Sequence, residues 1–197
     1  MSNIKRINFS KIGSWLTIIA FIMASVTPSF AKVSPNSSAN SYRPIIERFS
    51  TSSPLGFQIF CVKNPRECKS SSRKKIGYSA SLMRLASQVN SRVNRSIRAR
   101  NDRGPDTWTL NARVGDCEDY VLSKRSMLVK AGVPSGALRI ATATTSRGIG
   151  HAVLVIRTNR GDFVLDNRMN SIKLWNKTDL RMIAMSGANP KRWKKIS

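Results

Sequence analysis

Acidic residues are scarce in this chain: 10 Asp or Glu stand against 34 Lys or Arg in 197 residues, a formal net charge of +24. The imbalance predicts attraction to polyanions, whether nucleic acid, acidic polysaccharide or an anionic membrane face, but says nothing of fold or chemistry. Histidine is scarcer still, with His151 alone, so any imidazole chemistry falls to that residue. Hydrophobic residues make up 41%, enough for a core, which sets the chain apart from disordered ones despite its charge. No internal repeat is present, which excludes a solenoid. Beyond the first 31 residues no apolar run approaches the ~20 residues of a membrane helix. The length fits one ordinary domain.

What is present begins with an address. Lys5, Arg6 and Lys11 precede the apolar run Trp15 to Met23, and Ser29 and Ala31 stand before Lys32. That is the pattern of a secretory signal over residues 1–31, cut before Lys32, with an uncleaved anchor as the alternative. Residues 32–53, rich in Ser, Asn and Pro, are expected to be a flexible lead-in. Residues 54–197 then form the folded domain of an exported, periplasmic protein.

Three cysteines are an informative odd number in an exported protein. Cys61 and Cys68 flank the turn signal Asn64-Pro65, and an oxidising compartment would let them pair, leaving Cys117 single. The alternative is three buried thiols.

Periodicity predicts helices first and a small antiparallel sheet after them. Leu82, Leu85, Val89, Val93 and Ile97 recur at spacings of three and four, one buried helix face. Arg100 to Trp108 is a polar link broken by Gly104-Pro105. A second helix begins at Asp116, with Asp119 in capping-box position, and Gly132 and Pro134 end it. Strands follow at 137–144, 151–158 and 162–166, the last two joined by a short turn. A short helix is expected within Thr178 to Met185.

Cys117 therefore sits in the first turn of a helix, where free backbone amides and the helix dipole favour a thiolate. Asp116, Glu118 and Asp119 work against this, so a protonated histidine or a bound cation should offset them. A turn centred between Thr158 and Asn159 would set Asp166 opposite His151. Cys117 as nucleophile, His151 as base and Asp166 as orienting carboxylate are the parts of a thiol triad. Singly, each residue has an ordinary structural explanation: a core thiol, a hydrogen-bonded strand-edge imidazole, a turn-forming Asp.

The strings Gly115-Asp-Cys-Glu-Asp-Tyr-Val121, Lys124-Arg125, Gly132-Val-Pro134, His151-Ala-Val-Leu154 and Gly161-Asp-Phe-Val-Leu-Asp-Asn167 resemble the bacterial transglutaminase-like cysteine peptidases, the LapG-type periplasmic proteases among them. The likeness extends upstream to Phe60-Cys61, Pro65, Cys68, Val89-Asn90, Val93-Asn94 and Asp106-Thr-Trp108. It implies an α+β, papain-like or transglutaminase-like fold with helices packed on an antiparallel sheet, and a Cys117, His151, Asp166 triad. It also implies a calcium site at Asp116, Glu118 and Asp119, for which plain helix capping is the competing explanation. Trp108 and Asn94 enter as substrate-binding candidates through the resemblance alone, with core packing the alternative for Trp108.

The expectation is an exported thiol peptidase acting through an acyl-enzyme on a protein substrate in the cell envelope. It would be monomeric and need no cofactor for the chemistry itself beyond a calcium ion beside the site. No specific nucleic acid is expected, since export disfavours it. Two alternatives stay open: acyl transfer by a transglutaminase or amidase with the same triad, and a cationic protein that uses the same fold to bind the anionic envelope surface.

Overall fold

The computed structural model describes residues 43–196. In chain order these form β1 (Glu47–Thr51), α1 (Leu55–Lys63), α2 (Ala80–Ser96), β2 (Arg98–Ala99), β3 (Val114–Gly115), α3 (Cys117–Lys130), β4 (Leu138–Thr144), β5 (Gly150–Thr158), β6 (Gly161–Leu165), β7 (Lys173–Leu174), β8 (Arg181–Ser186) and β9 (Trp193–Ile196). Seven strands make one sheet in the order β1-β9-β8-β4-β5-β6-β7, and β2 pairs with β3 apart from it. Every pairing in the large sheet is antiparallel. This is the expected α+β architecture, with a sheet more than twice as wide as the sequence pattern suggested.

Local signals set the helices. Ser79 caps α2, its Oγ accepting from the Leu82 amide at 3.1 Å, and Leu82, Ala86, Val89 and Val93 bury one face. Gly132, at φ +90°, follows the end of α3, where a residue with a Cβ would be strained. Cys61 and Cys68 are disulfide-bonded, tying α1 to the short turn after it. The sheet divides the core. Leu138, Ile140, Leu154, Ile156 and Leu165 pack with the helices; Ala141, Val153, Val155, Val164 and Met185 face away from them.

Three expectations change. The signal segment lies outside the described residues, but the lead-in to Thr51 includes β1. The Arg157 guanidinium grips the Glu47 carboxylate and donates to the Ile45 carbonyl at 3.0 Å, while the Ile45 amide donates to Asp162 at 2.8 Å. Partners more than a hundred residues away hold this strand, and local composition cannot display them. Second, the expected helix within Thr178 to Met185 is β8, because pairing with β4 and β9 on both sides outweighs the helix propensity of Met and Ala. Third, the β5–β6 hairpin closes at Thr158 and Gly161, so Leu154 faces Leu165 rather than Phe163. That two-residue offset ends β6 before it can face His151.

Candidate active site

The loop before α3 and the starts of α3 and β5 frame a cavity of about 580 Å³ whose lining includes Asp106, Cys117, Glu118, His151, Asn167 and Arg168. Cys117 opens α3, as expected, and is half-buried. Its thiol donates to Glu118 Oε2 at 3.2 Å. Burial pushes the thiol pKa up and the Glu118 charge pushes it further, while the backbone amide of Ala152 pulls it down. That amide belongs to the residue next to His151, so the sulfur sits against the strand that carries the imidazole.

The β6 end supplies the second part. Asp166 follows the last residue of β6 and its carboxylate turns back, so that His151 Nε2 and Asp166 Oδ1 lie 2.9 Å apart. The contact expected from strand register is made instead by a side chain just beyond the strand. The Arg168 amide donates to the same oxygen at 2.9 Å, and the Arg168 guanidinium donates to Oδ2 at 3.0 and 2.8 Å and to Asp179 at 3.0 and 2.7 Å. Burial alone would raise the Asp166 pKa, but the hydrogen bonds from His151 and Arg168 hold it well below the usual carboxylate range.

The acidic cluster differs from the expected one. Asp116 occupies the N-cap position without a side-chain capping bond; its Oδ2 accepts from the Asp102 amide at 3.3 Å. Asp119 is buried and accepts from the Thr109 amide at 2.7 Å and from the Asp116 amide, so half of the expected capping box is formed, and Asp119 does not join the cation-ligand group. Glu118 and Asp119 are adjacent on the helix and point about 100° apart, so the two carboxylates diverge. A Cβ at Gly115 would lie 1.9 Å from Asp119 Oδ2, so glycine there makes room for that carboxylate. The group that does gather is Asp102, Asp106 and Glu118, each offering an oxygen within 4.8 Å of the others. Glu118 Oε1 and Asp116 Oδ1 are buried without a hydrogen-bond partner among the described residues. Burial, then Asp106 and Asp116, push the Glu118 pKa up to about 9.

Trp108 is in the core, its ring 5.2 Å from Phe57, with Nε1 donating to Asp106 Oδ2 at 2.9 Å. It does not line the cavity, because its apolar ring buries between α1 and the loop it anchors. Asn94 does not line the cavity either. Its amide donates to the Asp166 carbonyl at 3.1 Å and to the Met169 carbonyl at 3.1 Å, holding the segment that carries Asp166. Deeper on α3, Lys124 is fully buried, with Nζ lacking an acceptor among the described residues and lying 5.8 Å from the Tyr120 ring centroid. Burial pushes its pKa down to about 7, against the opposing pull of Asp166.

Asp102, Asp106, Arg168 and Asp179 escaped the sequence reading. Asp102 and Asp106 flank Gly104-Pro105 in what reads as a plain polar link, and Arg168 follows an Asp-Asn pair that reads as a turn. The signal that could have found the first two is their proximity to the acidic run around Cys117.

A helix-start thiol and a strand imidazole, the latter paired with a carboxylate, line one cavity. Residues 47–197 match the model of the bacterial transglutaminase-like cysteine proteinases, and the chain belongs to that family; it is a cysteine peptidase. Among solved structures, calcium-bound LapG of Legionella pneumophila is 27% identical, with 55% of this chain and 69% of that chain covered at a TM-score of 0.49. The EGTA-treated form of the same protein is 26% identical, with 54% and 64% covered at 0.48. A search of curated proteins finds no match.

Proposed function

We propose that Cys117, His151 and Asp166 are the catalytic triad of an exported peptidase that cuts a protein substrate in the periplasm. The observation that carries the reading is the 2.9 Å contact between His151 Nε2 and Asp166 Oδ1, on the wall of the cavity that Cys117 also lines. With Nε2 engaged, Nδ1 is left to take the thiol proton. The sulfur attacks the scissile carbonyl carbon, and His151 hands the proton to the leaving amine as the C–N bond breaks. Water, deprotonated by His151, then attacks the thioester; the carboxylic acid leaves and the thiol is restored. Asp166 stabilises the imidazolium without being protonated, consistent with its depressed pKa. The Cys117 backbone amide, at the helix start, is placed to donate to the oxyanion.

Calcium belongs to the same reading. Oxygen-rich, carboxylate-dense sites suit this hard cation, and the unpartnered Glu118 Oε1 and Asp116 Oδ1 beside Asp102 and Asp106 fit one. These four residues would hold it, and its charge would neutralise the carboxylates that keep the thiol protonated.

The test is a comparison of the envelope proteins cut by wild type and by Cys117→Ser, paired with iodoacetamide labelling of Cys117 at neutral pH. Rapid labelling that His151→Ala suppresses supports the triad. Equally slow labelling of both forms, or a phenotype that survives Cys117→Ser, overturns it.

A further inference from the structure

The segment Leu55–Lys63 is apolar on nearly every side, and helices of that kind are ordinarily buried all round. Here only the inner face is, through Phe57, Phe60 and Cys61. On the outer face Leu55, Ile59 and Val62, spaced by four and three, form a stripe that is 70%, 47% and 81% exposed. Just before it in the chain, β1 carries a bulge between Glu47 and Ser50, and Phe49 on that bulge is 71% exposed. β1 lies at the edge of the sheet. A bulge at an edge breaks the row of backbone donors and acceptors that an added strand would need, so the exposed side chains are not set up for an extended peptide.

Charge says what the patch faces. Lys63 ends α1, Lys191 shares a groove of about 400 Å³ with Gln58 and Val62, and Lys194 Nζ donates to Ser50 on β1 at 3.1 Å. The ten Asp and Glu carboxylates of the chain are engaged or lie elsewhere, and the one on β1, Glu47, is held by Arg157. Asp102, Asp106, Asp116, Glu118 and Asp119 gather about the start of α3, while Glu47 and Asp162 pair with Arg157, Asp166 and Asp179 with Arg168, and Glu67 with Arg125. A second copy of so positive a chain would be repelled from this face. A bilayer with anionic headgroups satisfies both halves, taking apolar side chains into its interface and holding Lys at headgroup level.

We propose that the outer face of α1, together with the β1 bulge, docks the protein on an anionic lipid bilayer. The inference does not rest on the catalytic triad. It places the peptidase at a membrane surface, where membrane-anchored or membrane-proximal polypeptides are the substrates within reach.

The test is co-sedimentation of the processed protein, purified from the periplasm and with its amino terminus read by mass spectrometry, with vesicles of phosphatidylcholine alone or mixed with phosphatidylglycerol. Wild type should partition onto the mixed vesicles and only weakly onto phosphatidylcholine. Leu55→Ser/Val62→Ser should weaken partitioning about tenfold or more, the scale of removing two buried apolar side chains. Lys63→Glu/Lys191→Glu should weaken it by a similar factor, whereas Arg84→Glu/Arg92→Glu on the exposed face of α2 should change it far less. If the first double variant folds poorly, Val62→Ala, with a severalfold loss, serves in its place. Absence of vesicle binding overturns the proposal. So does an equal loss from the α2 pair, which would mean diffuse charge attraction, or a solution dimer that Leu55→Ser/Val62→Ser dissociates, which would make a second copy the occupant.

Discussion

On the sheet side of the cleft, Asp166 accepts hydrogen bonds from the Arg168 amide and guanidinium and lies against His151, and Asp179 backs the same arginine. On the helix side, Glu118 and Asp116 each bury an oxygen with no hydrogen-bond partner among the described residues. Both walls carry carboxylates, in opposite states. One is complete and held ionised by the chain's own cations, the other is pushed toward protonation by burial and by its acidic neighbours. On the proposed reading, the completed wall orients the base and the incomplete one sets the charge around the nucleophile.

The largest effect that this contrast predicts is on the completed wall. Asp166→Asn should keep the fold and lower kcat/KM by about 10³-fold or more, the scale seen when a triad carboxylate loses its charge. Glu118→Gln without calcium should cost far less, and should speed iodoacetamide labelling of Cys117 above about pH 9, where wild type carries the Glu118 charge beside the sulfur. If the two substitutions cost the same, the division of labour between the walls is wrong. Next in size is the response to the ion. Calcium at about a thousand times its Kd stabilises a folded state that alone binds it by ~4 kcal/mol, a rise of roughly 10 °C in Tm for a domain of this size. That rise, measured by calorimetry against a chelator control, should vanish in Asp102→Asn/Asp106→Asn, together with any calcium-dependent gain in Cys117 labelling.

How far the sequence reached follows the same division. Helix α2 and the three central strands were legible because their signal is local: a cap at Ser79, a spacing of three and four, an alternation. The contact of His151 with Asp166 and the place of Cys117 at a helix start were legible because a single histidine, a strand-end aspartate and a capped helix start leave few choices. The partners of those residues were not. Arg168 reaches Asp166 by doubling back across a turn, and Asp102 and Asp106 meet Glu118 only because the loop after β2 folds over the start of α3. β1 is held by pairs such as Arg157 with Glu47, separated by more than a hundred residues, and β8 and β9 by pairing with β4 and with each other. Trp108 was misread in the other direction: membership in a motif suggested substrate contact, whereas its indole is a strut for Asp106.

A smaller effect sharpens the contrast from beneath the cleft. Lys124 is buried with no acceptor for Nζ, so its ammonium is the disfavoured form and its folded pKa of about 7 lies below the ordinary 10.5. Below about pH 7 both states hold the proton and the folded state bears the full desolvation cost. Between there and about 10.5 the unfolded chain binds the extra proton, so the contribution of Lys124 to stability rises with pH across that window. Lys124→Met should therefore stabilise the protein by a few kcal/mol near pH 6, and by little near pH 10, in paired denaturant titrations. A uniform loss at both values would mean that the lysine is held by attraction to Asp166 after all.

The smallest predicted change tests how rigid the completed wall has to be. Asn94 holds the Asp166 and Met169 carbonyls through one amide group, and Asn90 holds Met169 and Asn170 in the same way at 2.9 and 3.0 Å. Because the two asparagines lie one helical turn apart on α2 and share the Met169 carbonyl, losing one leaves the segment partly tied. Asn94→Ala should cost about 1 to 2 kcal/mol of stability, the scale of a buried hydrogen bond lost, and lower kcat severalfold with KM nearly unchanged. That split separates aim from binding: a substrate-contacting Asn94 would raise KM instead, and the sheet wall would then extend its role from orienting His151 to holding the peptide.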